Sequence, residues 1–299
     1  MIVFHPAYAP RLPPGHRFPM PKFVRLLERL TETGLIRASD AVTPVPAARS
    51  WLELAHGHDY VRAVLEQRLD AAAERRLGLP MTAEVALRSC AAVGGTVETA
   101  RLALGHGLAC NMAGGSHHAH AGFGSGFCVF NDVAVAALLL RAEGLVRRVL
   151  IIDLDVHQGD GTAAILASDD AFFTLSVHCR TNFPARKTRS RLDVALEPGS
   201  GDALYLALLD RLVPDLLATE RPDLVFYNAG VDPHQRDRLG RLELSDAGLA
   251  ARERCVLESC RRAGVPLACV VGGGYGSDVE EVVERHAVLH EVAASLGSW

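Results

Sequence analysis

The sequence predicts an α/β protein with a mostly parallel central sheet and helices on both faces. Apolar runs rich in β-branched residues alternate with amphipathic runs at helical spacing, and polar clusters follow several of the apolar runs. No Pro-, Gly- or Ser-rich linker interrupts this alternation. A chain of 299 residues is long enough to bury one large core. We therefore expect a single domain spanning residues 1–299.

The predicted strands are short apolar runs bounded by turn-forming residues. They cover residues 1–4, 107–112, 148–155, 172–178, 223–228 and 266–272. Because helical patterns separate these runs so regularly, the strands are expected to pair in parallel and to be covered on both faces.

The predicted helices follow from apolar periodicity and from residues that favour helix ends. They cover residues 21–33, 59–73, 82–105, 131–143, 159–167, 202–218, 245–263 and 277–296. Side chains that cap helices stand at the start of several, including Asp59, Thr82 and Ser245, whereas Gly144 and Gly264 stand where two of them end.

Composition narrows the function classes. A net charge of −4, with 22% charged residues, offers no basic stripe for nucleic acid. The first thirty residues lack a signal-peptide pattern, and no apolar run reaches membrane-spanning length. The seven cysteines form no C-x-x-C pair, which argues against a disulfide framework or a cysteine zinc knuckle. We predict a cytoplasmic protein with reduced thiols.

The third predicted strand runs into an Asp-x-Asp-x-His cluster, Asp153, Asp155 and His157. In an extended chain these side chains share one face, and residues two apart are separated by ~6.6 Å. Neighbouring members can therefore reach one ion, whereas residues four apart, at ~13 Å, cannot. This spacing favours Asp155 and His157 as a metal-binding pair and leaves Asp153 a supporting role.

Other polar clusters follow other predicted strands. Gly114 to His118 follow the second strand, Asp232 follows the fifth and Tyr275 follows the sixth. Ligands bind beyond the carboxyl ends of strands in parallel α/β sheets, so these residues should meet. Catalytic zinc takes about three His or carboxylate ligands and keeps an open position, which makes Asp232 the best third ligand.

The remaining polar residues suit hydrolysis of a carbonyl compound. His117 and His118 could supply a general base and a general acid if their surroundings separate their proton affinities. Asp153 and Asp160 are available to orient these imidazoles. Tyr275, on a glycine turn, could donate its hydroxyl to an oxyanion.

Five blocks in order carry a resemblance to a known family. They are G-G-S-H-H at 114–118, G-F-C-V-F-N-D at 126–132, D-L-D-V-H-Q-G-D-G at 153–161, Y-N-A-G-V-D at 227–232 and G-G-G-Y at 272–275. Together they resemble the zinc-dependent histone deacetylases of the arginase/deacetylase fold. Weaker similarity at residues 16–22, His56 and Tyr60 extends the resemblance over nearly the whole chain. Gln158 and the segment 237–240 resemble class IV and its bacterial relatives most.

The resemblance implies a role for each matched residue. Asp155, His157 and Asp232 would bind Zn²⁺, although Fe²⁺ also fits these ligands. His118 would act as general base and acid, oriented by Asp160, with His117 paired to Asp153 and Tyr275 polarising the amide carbonyl. The implied acyl-lysine tunnel is lined by Gly126, Phe127 and Phe183. The implied structural K⁺ lies beside Asp153, Asp155, His157, Ser176 and Val177.

One departure from the resemblance leaves the substrate open. Class I and II relatives grip the substrate backbone with an Asp on a rim loop, but the corresponding residues 71–80 contain no Asp. The prediction is a zinc-dependent amidohydrolase that removes acetyl or longer acyl groups from N-acyl-lysine in proteins. The alternatives are a deacylase of small acylated amines such as acetylpolyamines, a binuclear manganese hydrolase and a non-catalytic acyl-lysine-binding scaffold. Acyl length and oligomeric state stay open.

Overall fold

The computed structural model describes residues 1–297, so the last two residues of the predicted domain lie outside the described part. Within residues 1–297 the sheet has seven parallel strands in the order β1-β2-β7-β6-β3-β4-β5. The strands are β1 (Ile2–Val3), β2 (Leu108–Asn111), β3 (Val149–Asp153), β4 (Phe172–Cys179), β5 (Leu192–Leu196), β6 (Leu224–Asn228) and β7 (Leu267–Val270).

Ten α-helices surround the sheet within the same residues, together with two short 3₁₀ turns at Pro6–Tyr8 and Ala38–Asp40. The helices are α1 (Lys22–Glu32), α2 (Arg49–Leu52), α3 (His58–Leu65), α4 (Ala71–Leu77), α5 (Ala83–His106), α6 (Asp132–Ala142), α7 (Asp160–Leu166), α8 (Asp202–Glu220), α9 (Asp246–Ala263) and α10 (Val279–Ser295). None of the described helices is long and apolar enough to cross a membrane. The cytoplasmic location stays a prediction.

A hydrophobic core lies on each face of the sheet, because successive strand side chains point to opposite faces. In β3, Val149 and Ile151 join one core, with α5 and α6. Leu150 and Ile152 join the other, with α8 and α9. This is the predicted α/β class with helices on both faces, and the prediction is confirmed.

The register brings the carboxyl ends of the central strands to one edge. Asp153, the last residue of β3, pairs with Asn228 of β6 and with Ser176 of β4. Asn228 in turn pairs with Val270, the last residue of β7. The segments that leave these strands therefore begin side by side, and they carry most of the polar residues singled out in the sequence.

Two strand predictions were wrong in detail. Strand β5 was not predicted, because this edge strand is half-exposed and carries Asp193, so it lacks a continuous apolar run. The predicted strand 148–155 ends at Asp153, and Asp155 and His157 lie in the bends that follow. Their proximity therefore comes from a turn in the chain and not from an extended strand.

The predicted helix 59–73 was also wrong, since the chain forms α3 and α4 with a break between them. Gln67 in the break has a φ of 52°, which no α-helix accommodates. A new helix then begins because Asp70 Oδ1 accepts a hydrogen bond from the Ala73 N–H (2.7 Å). The short helix α2 was not predicted, and the other helices and strands end within about two residues of their predicted bounds.

Candidate active site

Three buried side chains meet at the carboxyl edge of the sheet. Asp155 and His157 follow β3, and Asp232 follows the adjacent strand β6. One potential ligand atom from each lies within 4.8 Å of the other two. The three residues predicted from sequence as metal ligands are thus brought together.

Backbone and side-chain contacts aim these groups at one another. Asp155 Oδ2 accepts a hydrogen bond from the Gly273 N–H (2.8 Å), and Asp232 Oδ1 accepts one from the Val156 N–H (2.8 Å). His157 Nδ1 lies 3.0 Å from Asp155 Oδ1 and 3.1 Å from Asp232 Oδ2. A single imidazole nitrogen and two carboxylate oxygens therefore converge on one small volume.

The electrostatics of this cluster fit a divalent cation. Burial and the neighbouring Asp155 charge raise the pKa of Asp232 to about 7. Burial lowers the pKa of His157, but its hydrogen bonds to Asp155 and Asp232 outweigh that effect and raise this pKa to about 10. A cation such as zinc would take the place of the His157 proton, because the two buried carboxylates favour positive charge at this point and neutral His157 can then serve as a ligand.

The two adjacent histidines have separate carboxylate partners. His118 Nδ1 donates to Asp160 Oδ1 (2.6 Å), and His117 Nδ1 donates to Asp153 Oδ2 (2.7 Å). Their ring centroids are 4.1 Å apart. A carboxylate that accepts from Nδ1 fixes the tautomer and leaves Nε2 of a neutral imidazole as a proton acceptor.

Different surroundings separate the proton affinities of this pair. Burial and the charge of His117 lower the pKa of His118 to about 3. Burial also lowers the pKa of His117, but the charges of Asp153 and Asp155 outweigh it and raise this pKa to about 9. One imidazole is therefore neutral and the other protonated near pH 7, which is the condition for distinct roles.

Two residues that support these carboxylates were missed in the sequence. Asn228 Nδ2 donates to Asp153 Oδ1 (2.9 Å), and His120 Nε2 donates to Asp160 Oδ2 (2.9 Å). Asn228 lies inside the block Y-N-A-G-V-D, and a polar residue at the end of an apolar strand was the available signal. His120 carried no such signal, because its partner is 40 residues away.

Tyr275 lies beside the cluster, with its ring centroid 6.3 Å from that of His157. Burial and the charges of Asp155 and Asp232 raise the pKa of Tyr275 well above its ordinary value, so its hydroxyl keeps its proton. Its N–H donates to Asp237 Oδ2 (2.7 Å). A protonated phenol held in this way is a hydrogen-bond donor suited to a developing oxyanion.

Lys22 stabilises the glycine turn that carries Tyr275. Its buried ammonium donates to the carbonyl oxygens of Gly272 (3.0 Å) and Gly274 (3.4 Å). Burial lowers the pKa of Lys22 to about 8. The positioning roles of Lys22 and Asp237 were not predicted, since both depend on contacts across long stretches of chain.

A cleft of about 420 Å³ opens above these groups. Its inner part is lined by His118, His157 and Tyr275, together with the predicted tunnel residues Gly126, Phe127 and Phe183. Phe127 lies on the Tyr275 side, with ring centroids 6.0 Å apart. Phe183 lies on the His118 side, with centroids 4.7 Å apart and perpendicular rings. The structure thus brings all three predicted tunnel residues to the approach to the cluster.

The model of the histone deacetylase domain matches residues 16–289. The chain belongs to the histone deacetylase family. The predicted resemblance is thereby confirmed, and membership of this family implies a deacetylase that hydrolyses an amide bond.

Individual relatives agree with this family. An uncharacterized protein of Picosynechococcus sp. is 52% identical over 99% of this chain and 98% of its own length. The acetoin utilization protein AcuC of Staphylococcus aureus is 31% identical over 76% of this chain and 64% of its own length. A solved histone deacetylase homologue from Aquifex aeolicus shares 26% identity and a TM-score of 0.82, covering 98% of this chain and 83% of that one.

Two residues of this histone deacetylase family member were predicted to bind K⁺ but to play no part in the zinc site. Ser176 and Val177 are buried on β4, and Ser176 pairs in register with Asp153 of β3. The Ser176 hydroxyl lies 3.0 Å from His178 Nδ1. Bound K⁺ at this position stays a prediction.

Proposed function

We propose that this chain is a zinc-dependent deacylase that hydrolyses the amide bond of N-acyl-lysine side chains in proteins. One observation carries the proposal. The buried group of Asp155, His157 and Asp232 lies at the inner end of a cleft that His118 and Tyr275 also line. A metal site, a neutral imidazole and a protonated phenol around one cleft are the components of amide hydrolysis.

The residues of the chain suggest how the reaction proceeds. Zinc held by Asp155, His157 and Asp232 would supply Lewis acidity to the carbonyl and to water. Nε2 of neutral His118 accepts the proton of the water that attacks the amide carbon. The Tyr275 hydroxyl donates a hydrogen bond to the carbonyl oxygen as negative charge develops there. The same His118 then protonates the leaving nitrogen, so that the C–N bond breaks and a carboxylic acid and an amine are released.

His117 assists without moving a proton. Its raised pKa keeps it protonated beside Asp153, and its positive charge is one of the causes that lower the pKa of His118. Neutral His118 is thereby ready to act as a base near pH 7. Asp160 orients it through the 2.6 Å hydrogen bond to Nδ1.

The test combines metal content with turnover of an acetyl-lysine peptide. Removing metal with a chelator should abolish activity, and adding Zn²⁺ should restore it; Fe²⁺ is added in parallel. His118→Ala should keep its zinc but lose about 10²–10⁴-fold in kcat. Asp155→Asn should lose both zinc and activity, whereas His106→Ala, at the exposed end of α5, serves as the matched control. Full activity of the metal-free protein would contradict the proposal.

A second candidate substrate is a small acylated amine. It is favoured by residues 71–80, which offer no Asp to hold a peptide backbone. Parallel kinetics on lysine peptides and on free amines, each carrying acetyl, medium or long acyl groups, would distinguish the two candidates and define the acyl length. Higher kcat/KM for every free amine would favour the second candidate. If neither the peptides nor the free amines are hydrolysed, the alternative of a non-catalytic acyl-lysine-binding scaffold is favoured.

A further inference from the structure

The outer part of the cleft is unusually basic. Five arginines line it, whereas no Asp or Glu does so within residues 1–297. They are Arg17, Arg75, Arg76, Arg238 and Arg241. The chain as a whole has a net charge of −4, so a general excess of basic residues does not explain this cluster, named here the arginine rim.

The arginine rim is built from separate parts of the chain. Arg17 precedes α1, Arg75 and Arg76 lie in the last turn of α4, and Arg238 and Arg241 follow Asp232. All five side chains are exposed. Such convergence of distant segments on one opening differs from a run of charges along a single helix face.

Within residues 1–297 these guanidinium groups lack acidic partners. Among the described residues, none of the five forms an ion pair with a carboxylate. Elsewhere in the protein comparable arginines are paired, as Arg25 is with Glu280 (2.8 Å) and Arg29 with Glu284 (2.6 Å). Even Glu74 of α4 turns away from the rim and accepts the Met81 N–H. The rim therefore leaves its positive charge available to a ligand.

Local structure explains only part of this arrangement. Arg75 and Arg76 are favourably placed at the carboxyl end of α4, where a cation interacts with the helix dipole. Arg76 also lies over the Phe123 ring, 4.5 Å from its centroid. Neither explanation applies to Arg17, Arg238 or Arg241, which lie outside the helices of residues 1–297.

We infer that the acyl-lysine substrate is presented in an acidic polypeptide segment, with carboxylates or phosphates flanking the lysine. This inference rests on the proposed deacylase function. Guanidinium groups bind both anions with paired hydrogen bonds, and several around one opening would hold a chain on either side of the lysine. The same rim repels polyamines, which are cations, and so disfavours acetylpolyamines as substrates.

The experiment uses three acetyl-lysine peptides of equal length that differ only in having Glu, Gln or Lys at the flanking positions. Binding is measured by fluorescence anisotropy on the zinc-loaded His118→Ala protein, so that it does not depend on turnover. We expect Kd to increase from the Glu to the Gln to the Lys peptide, with on the order of tenfold between the extremes at low salt. The difference should shrink in 1 M salt, where charges are screened within about 3 Å. A fourth peptide with phosphoserine at the flanking positions distinguishes the two anions: a Kd below that of the Glu peptide favours phosphate, and a higher one favours carboxylate.

Variants of the protein test whether the arginine rim causes the difference in Kd. Replacing Arg75 and Arg76 together by Gln should reduce the ratio of the Lys-peptide Kd to the Glu-peptide Kd at least threefold, mainly by weakening binding of the Glu peptide. Arg211→Gln, on the exposed face of α8, should change neither. Equal Kd values for the three peptides would overturn the inference. Turnover of these peptides by the wild-type protein is a separate measurement, and its absence would instead count against the proposed function.

Discussion

Gly126 offers a sharp test of the cleft geometry. It lies at the inner cleft with a φ of 53°, in the left-handed region that favours glycine. A Cβ at this position would lie 2.7 Å from His118 Cδ2 and 3.0 Å from Phe183 Cε1. Ordinary contacts of this kind begin at 3.4 Å, so the imidazole or the loop would have to move by about 0.7 Å.

Gly126→Ala should therefore affect stability and activity by different amounts. The left-handed backbone costs an alanine roughly 1–2 kcal/mol, which lowers Tm by a few degrees. A displacement approaching 1 Å of a general base costs on the order of 10²-fold in kcat/KM. Thermal unfolding and turnover of an acetyl-lysine peptide by the zinc-loaded protein measure the two effects.

Two other glycines separate the effect of backbone strain from the effect of the close contact with His118. Gly144 has a φ of 71° and open space around its Cβ position, so Gly144→Ala should lose stability but keep its activity. Gly122 lies in the same loop region as Gly126, with open space and no positive φ, so Gly122→Ala should be nearly neutral. Activity of Gly126→Ala within twofold of wild type would refute the placement of the His118 ring beside this loop.

Three further predictions concern residues around the site. Lys22→Met leaves two carbonyl oxygens of the Tyr275 turn without a donor, so kcat should fall about tenfold, and less in a Tyr275→Phe background; additive losses would contradict this coupling. Asp160→Ala removes the acceptor that orients His118, so kcat should fall on the order of 10²-fold with zinc content retained; unchanged kcat would contradict that role. Burial lowers the pKa of His56 from 6.5 to about 4, so below pH 6.5 the unfolded chain binds a proton that the folded protein excludes. Urea titrations should show the free energy of unfolding falling by roughly 2 kcal/mol between pH 7 and 5 relative to His56→Gln, and parallel profiles would contradict it.

The metal-binding pair illustrates what local sequence can reveal. The spacing of Asp155 and His157 indicated one shared ion, although the chain bends where an extended strand was expected. Asp232 was found by a different argument, from its place after a strand end, and the order β7-β6-β3-β4 explains its proximity. That order could not be read from the chain, because it depends on which strands pack together in the folded core.

The missed features share one cause. Strand β5 is an edge strand whose exposed face leaves no continuous apolar pattern, and the break at Gln67 interrupts a run whose composition suits a helix throughout. Lys22, Asp237 and His120 act through partners between 38 and 252 residues away. Periodicity and spacing report only on neighbours in sequence.

Alternating apolar runs and short motifs were enough to predict the α/β class, the buried donors and the paired histidines, because both are local properties of the chain. How these groups face one another depends on the folded protein. It gave His117 and His118 opposite pKa shifts through different neighbours, and it gathered the arginine rim from three segments. The physical reason is that burial and electrostatic interactions depend on distances through space, which the folded chain sets and the order of residues does not.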